Sequence, residues 1–342
     1  MMGLRARTAE DGCLQDRPVP ALHRDACLPS CTVVICTRNR PTHLDRCLKA
    51  VVRLVYSYFE VLVVDNAPRD VGTREVAAQW GVRYIIEPVP GLSRARNRGA
   101  RACGTEIVAY LDDDELPDPE WLSALACEFK DPKVMAVTGR ILPLRIETEA
   151  ERLCASIDSA HASGGEEPQV VNCQSAAWFE RASFGGVGNG GNMAFRRCAF
   201  SIWRGFDERL GRGTILSGGE EHYAFFSLID SGYHVVYTPR AVVRHPYPCT
   251  MEELRARHLK AFAASAGYMT FLFFEEPRYQ LAIIRYIVEW LLGTRRTWRP
   301  QVPGSRPRLV PRWRALLALL SGPWLYARSW LKQRRLAGDL EG

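Results

Sequence analysis

Short β-rich runs alternate with helical stretches from residue 32 onward, and this alternation constrains the fold more than any other feature of the chain. The runs cover 32–37, 60–65, 82–87, 106–111 and 134–138, and the helical stretches between them cover 42–54, 71–80, 93–103 and 119–129. Strand, helix, strand, repeated, predicts a mostly parallel sheet with helices on both faces. The first run, Val33, Val34, Ile35 and Cys36, is apolar throughout, as expected of a strand buried on both sides.

Where these runs stop, polar residues begin. The first ends in Thr37, Arg38, Asn39, Arg40 and Pro41, the second in Asp65 and Asn66, and the fourth in Asp112, Asp113 and Asp114. In a parallel sheet these ends lie along one edge, where helix amino termini also converge and ligands bind. No G-x-G-x-x-G follows the first run and no G-x-x-x-x-G-K-[ST] occurs in the chain, so neither a dinucleotide dehydrogenase nor a P-loop NTPase is supported.

Three successive carboxylates at the end of a buried strand repel one another and call for an opposing cation. Aspartate oxygens suit Mg²⁺ or Mn²⁺, which share their shell with substrate phosphates. The competing reading is a solvated acidic turn running on into Glu115 and Asp118. The segment from Gly91 to Gly99 opens a helix with Arg94, Arg96, Asn97 and Arg98 behind Ser93 as the expected N-cap. Cations at an electropositive helix start point to a nearby anion, for which Arg94 and Asn97 are the expected contacts, with Arg96 and Arg98 expected in solvent. Further on, Gly185 to Phe195 is too glycine-rich for a helix and ends as a strand, and Gly218-Gly219-Glu220-Glu221-His222 places two acids at a helix start.

Taken in order, Val-Val-Ile-Cys-Thr-Arg-Asn-Arg-Pro, Val-Val-Asp-Asn, Gly-Leu-Ser-Arg-Ala-Arg-Asn-Arg-Gly and Tyr-Leu-Asp-Asp-Asp-Glu resemble the family-two inverting glycosyltransferases of the GT-A fold, over about residues 32–245. The resemblance implies a Rossmann-like α/β fold with a mostly parallel mixed sheet, and transfer from a nucleotide-diphosphate sugar to an acceptor hydroxyl. It implies that Thr37 and Arg38 touch the nucleotide and that Asp65 hydrogen-bonds the base. The aspartates form the D-x-D element: Asp112 faces ribose or metal, Asp113 lies with them on the donor, and Asp114 binds an Mg²⁺ or Mn²⁺ that bridges the diphosphate. Gly191 and Asn192 are implied at the junction of donor and acceptor sites. The family carries Glu-Asp where this chain has Glu220-Glu221, so Glu221 takes the place of the base and Glu220 that of its neighbour. His245, at the end of the run 241–244, matches a histidine that some related enzymes place beside the metal or diphosphate.

Domain organisation follows: a loose extension over 1–30, a catalytic domain over 31–250 with its donor half to about 140, and a helical tail over 251–342. The formal charge of +7 comes from that tail, since after residue 277 thirteen Lys and Arg face three acids. There Arg is interleaved with Trp and Leu, as at 313–320 and 324–331, which reads either as a solvated helical face or as helices lying on an anionic membrane. No zinc finger or RNA-binding signature accompanies the charge, and no nucleic-acid partner is expected. Apolar windows are broken by Arg285, Glu289 or Pro323 before reaching spanning length. Eleven cysteines, an odd number without a basic and apolar leader, are read as thiols in a reducing cytosol, with the inner face of the cell membrane as the attachment site. Two rival functions stay open: a sugar-nucleotide-binding or scaffolding protein with a decayed site, to which the Glu-Glu departure points, and a nucleotidyltransferase, which would want a Lys-bearing glycine loop after the first strand.

Overall fold

The structure is a computed structural model and describes residues 28–159, 165–292 and 309–341; most of the expected amino-terminal extension lies outside them. The donor half comprises β1 (Cys31–Thr37), α1 (Pro41–Val51), β2 (Phe59–Asn66), α2 (Gly72–Gln79), β3 (Arg83–Glu87), α3 (Leu92–Ala102), β4 (Ile107–Asp112), β5 (Leu116–Pro117), α4 (Trp121–Glu128) and β6 (Val134–Pro143). Then follow α5 (Glu149–Ser159), β7 (Gln169–Val171), α6 (Trp178–Ser183), β8 (Asn192–Arg196), α7 (Ala199–Trp203), α8 (Glu220–Asp230) and β9 (His234–His245). The chain ends in helices: α9 (Met251–Glu275), α10 (Gln280–Leu292), α11 (Arg312–Leu320) and α12 (Gly322–Glu341).

The sheet runs β3-β2-β1-β4-β8-β6-β9-β5, with β7 on β9. Parallel pairing joins β3, β2, β1 and β4, and again β6 and β9, whereas β5, β7 and β8 run against the rest. This is the mostly parallel mixed sheet expected from the sequence. Its register sets the functional edge: Thr37 lies opposite Asp65, and Cys36 opposite Asp112, so all three polar strand ends finish level.

Successive side chains of β1 enter opposite layers, as the pleat requires. Val33 and Ile35 pack with Leu44 and Leu48 of α1 and Trp121 and Leu125 of α4, while Val34 packs on the other face with Tyr110, Phe195 and Phe225. Helix α1 buries Leu44, Cys47, Leu48 and Val51, a stripe spaced three and four residues apart, and begins with Pro41, whose fixed φ and missing N–H suit a first turn. Helix α3 approaches the sheet closely enough that a Cβ on Gly99 would come within 2.6 Å of Val34 Cγ1. Only glycine fits there without moving strand or helix.

The core does not stop at residue 250. Helix α9, opened by a capping box between Thr250 and Glu253, places Tyr268, Phe271 and Leu272 in the same buried cluster as Val34 and Phe225. The first helix of the expected tail thus packs into the same core as the sheet, and Ile283 of α10 and Leu325 and Tyr326 of α12 join that cluster. Helices α11 and α12 then pack against α9.

Candidate active site

At the end of β1, Thr37 Oγ1 donates to Asp113 Oδ2 over 2.6 Å. Arg40, the residue before α1, lies 2.8 Å from Asp113 Oδ1 and 2.6 Å from Asp114 Oδ2. Both oxygens of Asp113 are therefore held by the protein. Burial pushes its carboxyl up to about 6, with the Thr37 hydroxyl and Arg40 acting the other way. Asp114 behaves differently. Burial would raise it, but His245 and Arg40 outweigh burial and hold it below the usual carboxylate range. His245, the last residue of β9, brings Nε2 to 3.6 Å from Asp114 Oδ1, and its own burial lowers its proton affinity.

Asp65, at the end of β2, is fully buried and accepts the Tyr84 hydroxyl over 2.8 Å; burial raises its pKa despite that bond. Its neighbour Asn66 shapes the loop into α3, accepting from Gly91 N–H at 2.9 Å and donating to Val89 O at 2.8 Å. Ser93 is not the N-cap. The helix begins after Gly91, and the Ser93 hydroxyl donates to Leu210 O over 2.7 Å, fastening the loop before α8 onto α3.

Arg96 corrects the expectation that it would be solvated. It is 2% exposed, with Nη1 2.9 Å from Glu220 Oε1, and Nη2 2.9 Å from Gly190 O and 3.4 Å from Asp112 Oδ1. The rings of Tyr110 and Phe206 flank it at 5.9 and 5.7 Å. Desolvation would favour loss of its proton, yet Glu220 and Asp112 outweigh that and raise its pKa. Burial, and then the adjacent Glu221, push Glu220 up to about 7. Glu221, beside it in the first turn of α8, is half-buried. A helix start is where a carboxylate is favoured, so two acids there are held without a second cation. The clue to Arg96 in the sequence is its spacing: Ser93, Arg96 and Ala100 form the buried stripe of α3.

The anion contacts expected of Arg94 and Asn97 are not what the structure brings together. Arg94 pairs with Glu208 at 2.7 Å, half-exposed on both sides. Asn97 is buried and spans the backbone of Phe206, donating to its O and accepting from its N–H, both at 2.8 Å. Asn192 is likewise internal: Oδ1 accepts from Trp121 Nε1, and Nδ2 donates to Arg140 O and Ala241 O. Gly191 lies against Glu115, whose Oε1 would be 2.4 Å from a Cβ placed there. Glu115, which the sequence reading named only in the competing reading of a solvated acidic turn, is buried beside the site and accepts from Asp112 N–H over 3.4 Å. It is 2% exposed, and burial together with Asp112 and Asp114 raises it well above the ordinary range.

A cleft of about 230 Å³ opens over this edge. Its lining includes Thr37, Arg38, Asp112, Asp113 and Asp114 among the expected residues, together with Asn66 and Arg212. Arg38 and Arg212 are exposed cations at its mouth, and Arg212 stands between two glycines in a loop that gives no periodic signal. Glu220 and Glu221 are not among the lining residues; Glu220 is joined to Asp112 through Arg96, and Glu221 follows it in the same helical turn. Among the described residues, no three His, Cys, Asp or Glu side chains gather into a metal cage. The pair Asp114 Oδ1 and His245 Nε2 nevertheless fits Mg²⁺ or Mn²⁺, ions that complete a small protein donor set with phosphate oxygens and water.

A doubly covered, mostly parallel sheet with one antiparallel insertion and an acidic β4 end is the GT-A fold. A mannosyltransferase from Pyrobaculum calidifontis, solved in complex with GDP-Man and Mn2+, shares it at a TM-score of 0.52 and 18% identity, over 91% of this chain and 76% of that one. Residues 32–185 match Glycosyl transferase family 2, so that stretch of the chain carries a domain of the family. The pre-mycofactocin glycosyltransferase of Mycobacterium tuberculosis is 30% identical over 246 residues, 70% of this chain and 46% of the relative. Glycosyltransferase AglE of Haloferax volcanii is 34% identical over 122 residues, 33% of this chain and 40% of the relative. The chain thus spans about half the length of the curated relatives it matches.

Proposed function

We propose that the protein is a metal-dependent inverting glycosyltransferase that moves a sugar from a nucleotide-diphosphate sugar to an acceptor hydroxyl. The observation that carries this reading is the Arg96 bridge, which joins the donor-side acid Asp112 to the Glu220-Glu221 pair. Relatives named as glycosyltransferases support it, as does the donor and Mn2+ complex of the Pyrobaculum protein.

In this reading the base stacks near the β1 end over Thr37 and Arg38, with Asp65 accepting its hydrogen bond. Asp112 faces the ribose. Arg38 and Arg212, exposed at the cleft mouth, orient the diphosphate, and Arg40 and Thr37 keep Asp113 fixed beneath it. Asp114 and His245 would hold Mg²⁺ or Mn²⁺, which when bound supplies positive charge against the leaving diphosphate. Glu221 takes the proton from the acceptor hydroxyl; a single carboxylate suffices for inversion, unlike the paired carboxylates of a retaining hydrolase. Glu220, held by Arg96, keeps the first turn of α8 turned toward the donor.

The test is release of nucleoside diphosphate from a panel of UDP- and GDP-sugars, followed by chromatography in Mn²⁺ and in EDTA. Release that needs Mn²⁺, and a product of inverted anomeric configuration by NMR, is the expected result. Turnover that ignores EDTA would remove the metal from the mechanism, and a retained anomeric centre would remove Glu221 as a simple base.

A further inference from the structure

Helices α11 and α12 leave a Trp- and Leu-rich surface in solvent. On α11 the exposed side chains are Trp313, Leu316, Leu317 and Leu320, spaced three and four residues apart along one stripe, whereas Ala315 and Ala318 on the other side are buried. On α12, Trp324 and Leu331 are exposed while Ser329 is 6% exposed. Both indoles are 58% exposed. A stripe of that kind in water is unfavourable unless something covers it.

What covers it must also suit guanidinium groups. Arg314 lies 5.1 Å from the Trp313 ring and Arg328 lies 4.5 Å from the Trp324 ring, so these two indoles each carry a cation on their face. From residue 278 onward thirteen Lys and Arg face three acids, and residues 293–308, whose structure is not described, contribute Arg295, Arg296, Arg299, Arg306 and Arg308 to that count. A second copy of the chain would oppose this face with the same charge. An anionic bilayer offers phosphates for Arg, an interfacial layer for the indoles and acyl chains for Leu. No described helix is long and apolar enough to cross a membrane, so attachment would be in the plane of the surface.

We propose that α11 and α12 form a peripheral docking surface for an anionic lipid bilayer. The proposal does not depend on the reaction proposed above. It is tested with the full chain by flotation on phosphatidylcholine vesicles with and without roughly one-third phosphatidylglycerol. Binding about tenfold stronger to the anionic vesicles, weakened by salt, is expected. W313S/W324S should lower binding by about tenfold with an unchanged unfolding midpoint, because both indoles lie outside the core. R314E/R328E provides the second variant and should abolish the preference for anionic lipid. Absence of binding to either vesicle, equal binding to both, or Trp-dependent self-association in sedimentation without lipid would each overturn the proposal.

Discussion

Arg96 and Glu220 stand 124 residues apart in sequence and 2.9 Å apart in space, both almost wholly buried. The pair pins the first turn of α8 to α3 and, through Nη2, to the end of β4. Replacing Arg96 with Met leaves a buried carboxylate and the Gly190 carbonyl without their donor. Breaking a buried ion pair from one side costs about 3–5 kcal/mol, and urea unfolding should show a loss of that order. Arg96→Lys should recover only part, since one ammonium cannot reach Glu220, Gly190 and Asp112 together.

Glu220 also sets a pH dependence. In the folded protein its carboxyl is pushed up to about 7 from an ordinary 4.5, first by burial and then by Glu221. Between those values the native state holds a proton that the unfolded chain has released, so stability falls as pH rises through that window and levels off above it. Glu220→Gln should flatten this part of the stability profile. The slope is the readout, because the variant also weakens the contact with Arg96 and so lowers the whole curve. An unchanged slope between pH 4.5 and 7 would show that Glu220 is ionised throughout.

These residues also show what a sequence can and cannot disclose. Strands β1, β2 and β4 were legible because strands buried on both faces read as unbroken apolar runs, and their polar ends marked the functional edge. Helix α1 was legible through its period. Arg96 was only half legible: its spacing with Ser93 and Ala100 marks an inward face, but its partner Glu220 on a distant helix leaves no local trace. The same holds for Asn97 and Asn192, whose amides meet backbone groups far along the chain. Ser93 looked like a cap, but its hydroxyl serves a loop more than a hundred residues later. The join of α9 to the core was hidden for a different reason: its first turns are densely charged, as on a solvated helix, while the aromatic residues of its second half belong to the interior.

The two neighbouring aspartates should separate cleanly by mutation. Asp113 is engaged by Thr37 and Arg40 and is 4% exposed at the side chain, whereas Asp114 meets Arg40 through Oδ2 and turns Oδ1 toward His245. Asp113→Asn should therefore lower the unfolding midpoint, by roughly 1–3 kcal/mol of stability, through its buried partners. Asp114→Asn, which removes the charge facing Arg40 and His245, should also lower the midpoint, and it alone of the two should weaken Mn²⁺-dependent binding of a nucleoside diphosphate, by about 10- to 100-fold. Calorimetry of UDP and GDP with Mn²⁺, beside thermal unfolding of each variant, checks both halves.

Gly191 is required by Glu115 rather than by chain flexibility. A methyl group there would meet Glu115 Oε1 at 2.4 Å and Oε2 at 2.9 Å, and Glu115 is buried with little room to withdraw. Gly191→Ala should cost about 1–3 kcal/mol, the usual range for overpacking. Gly104, with nothing within 4 Å of the same added atom, supplies the control: Gly104→Ala should leave the unfolding midpoint close to that of the parent.

The base is the last point that mutation can decide. Glu221 sits in the first turn of α8, half-buried and next to a carboxyl that Arg96 fixes in place. A side chain so placed can approach an acceptor while its neighbour stays anchored, and this division of labour separates the two acids by kinetics. Glu221→Gln keeps the shape and removes the proton acceptor, so kcat should fall by about 10²- to 10⁴-fold while donor affinity is retained. Glu220→Gln should act through the position of α8, changing acceptor KM along with kcat. If both variants lose activity equally, or if Glu221→Gln turns over at the parent rate, the proton is taken elsewhere. Glu115, buried against Gly191 and the Asp112 backbone, would then be the carboxyl to test next.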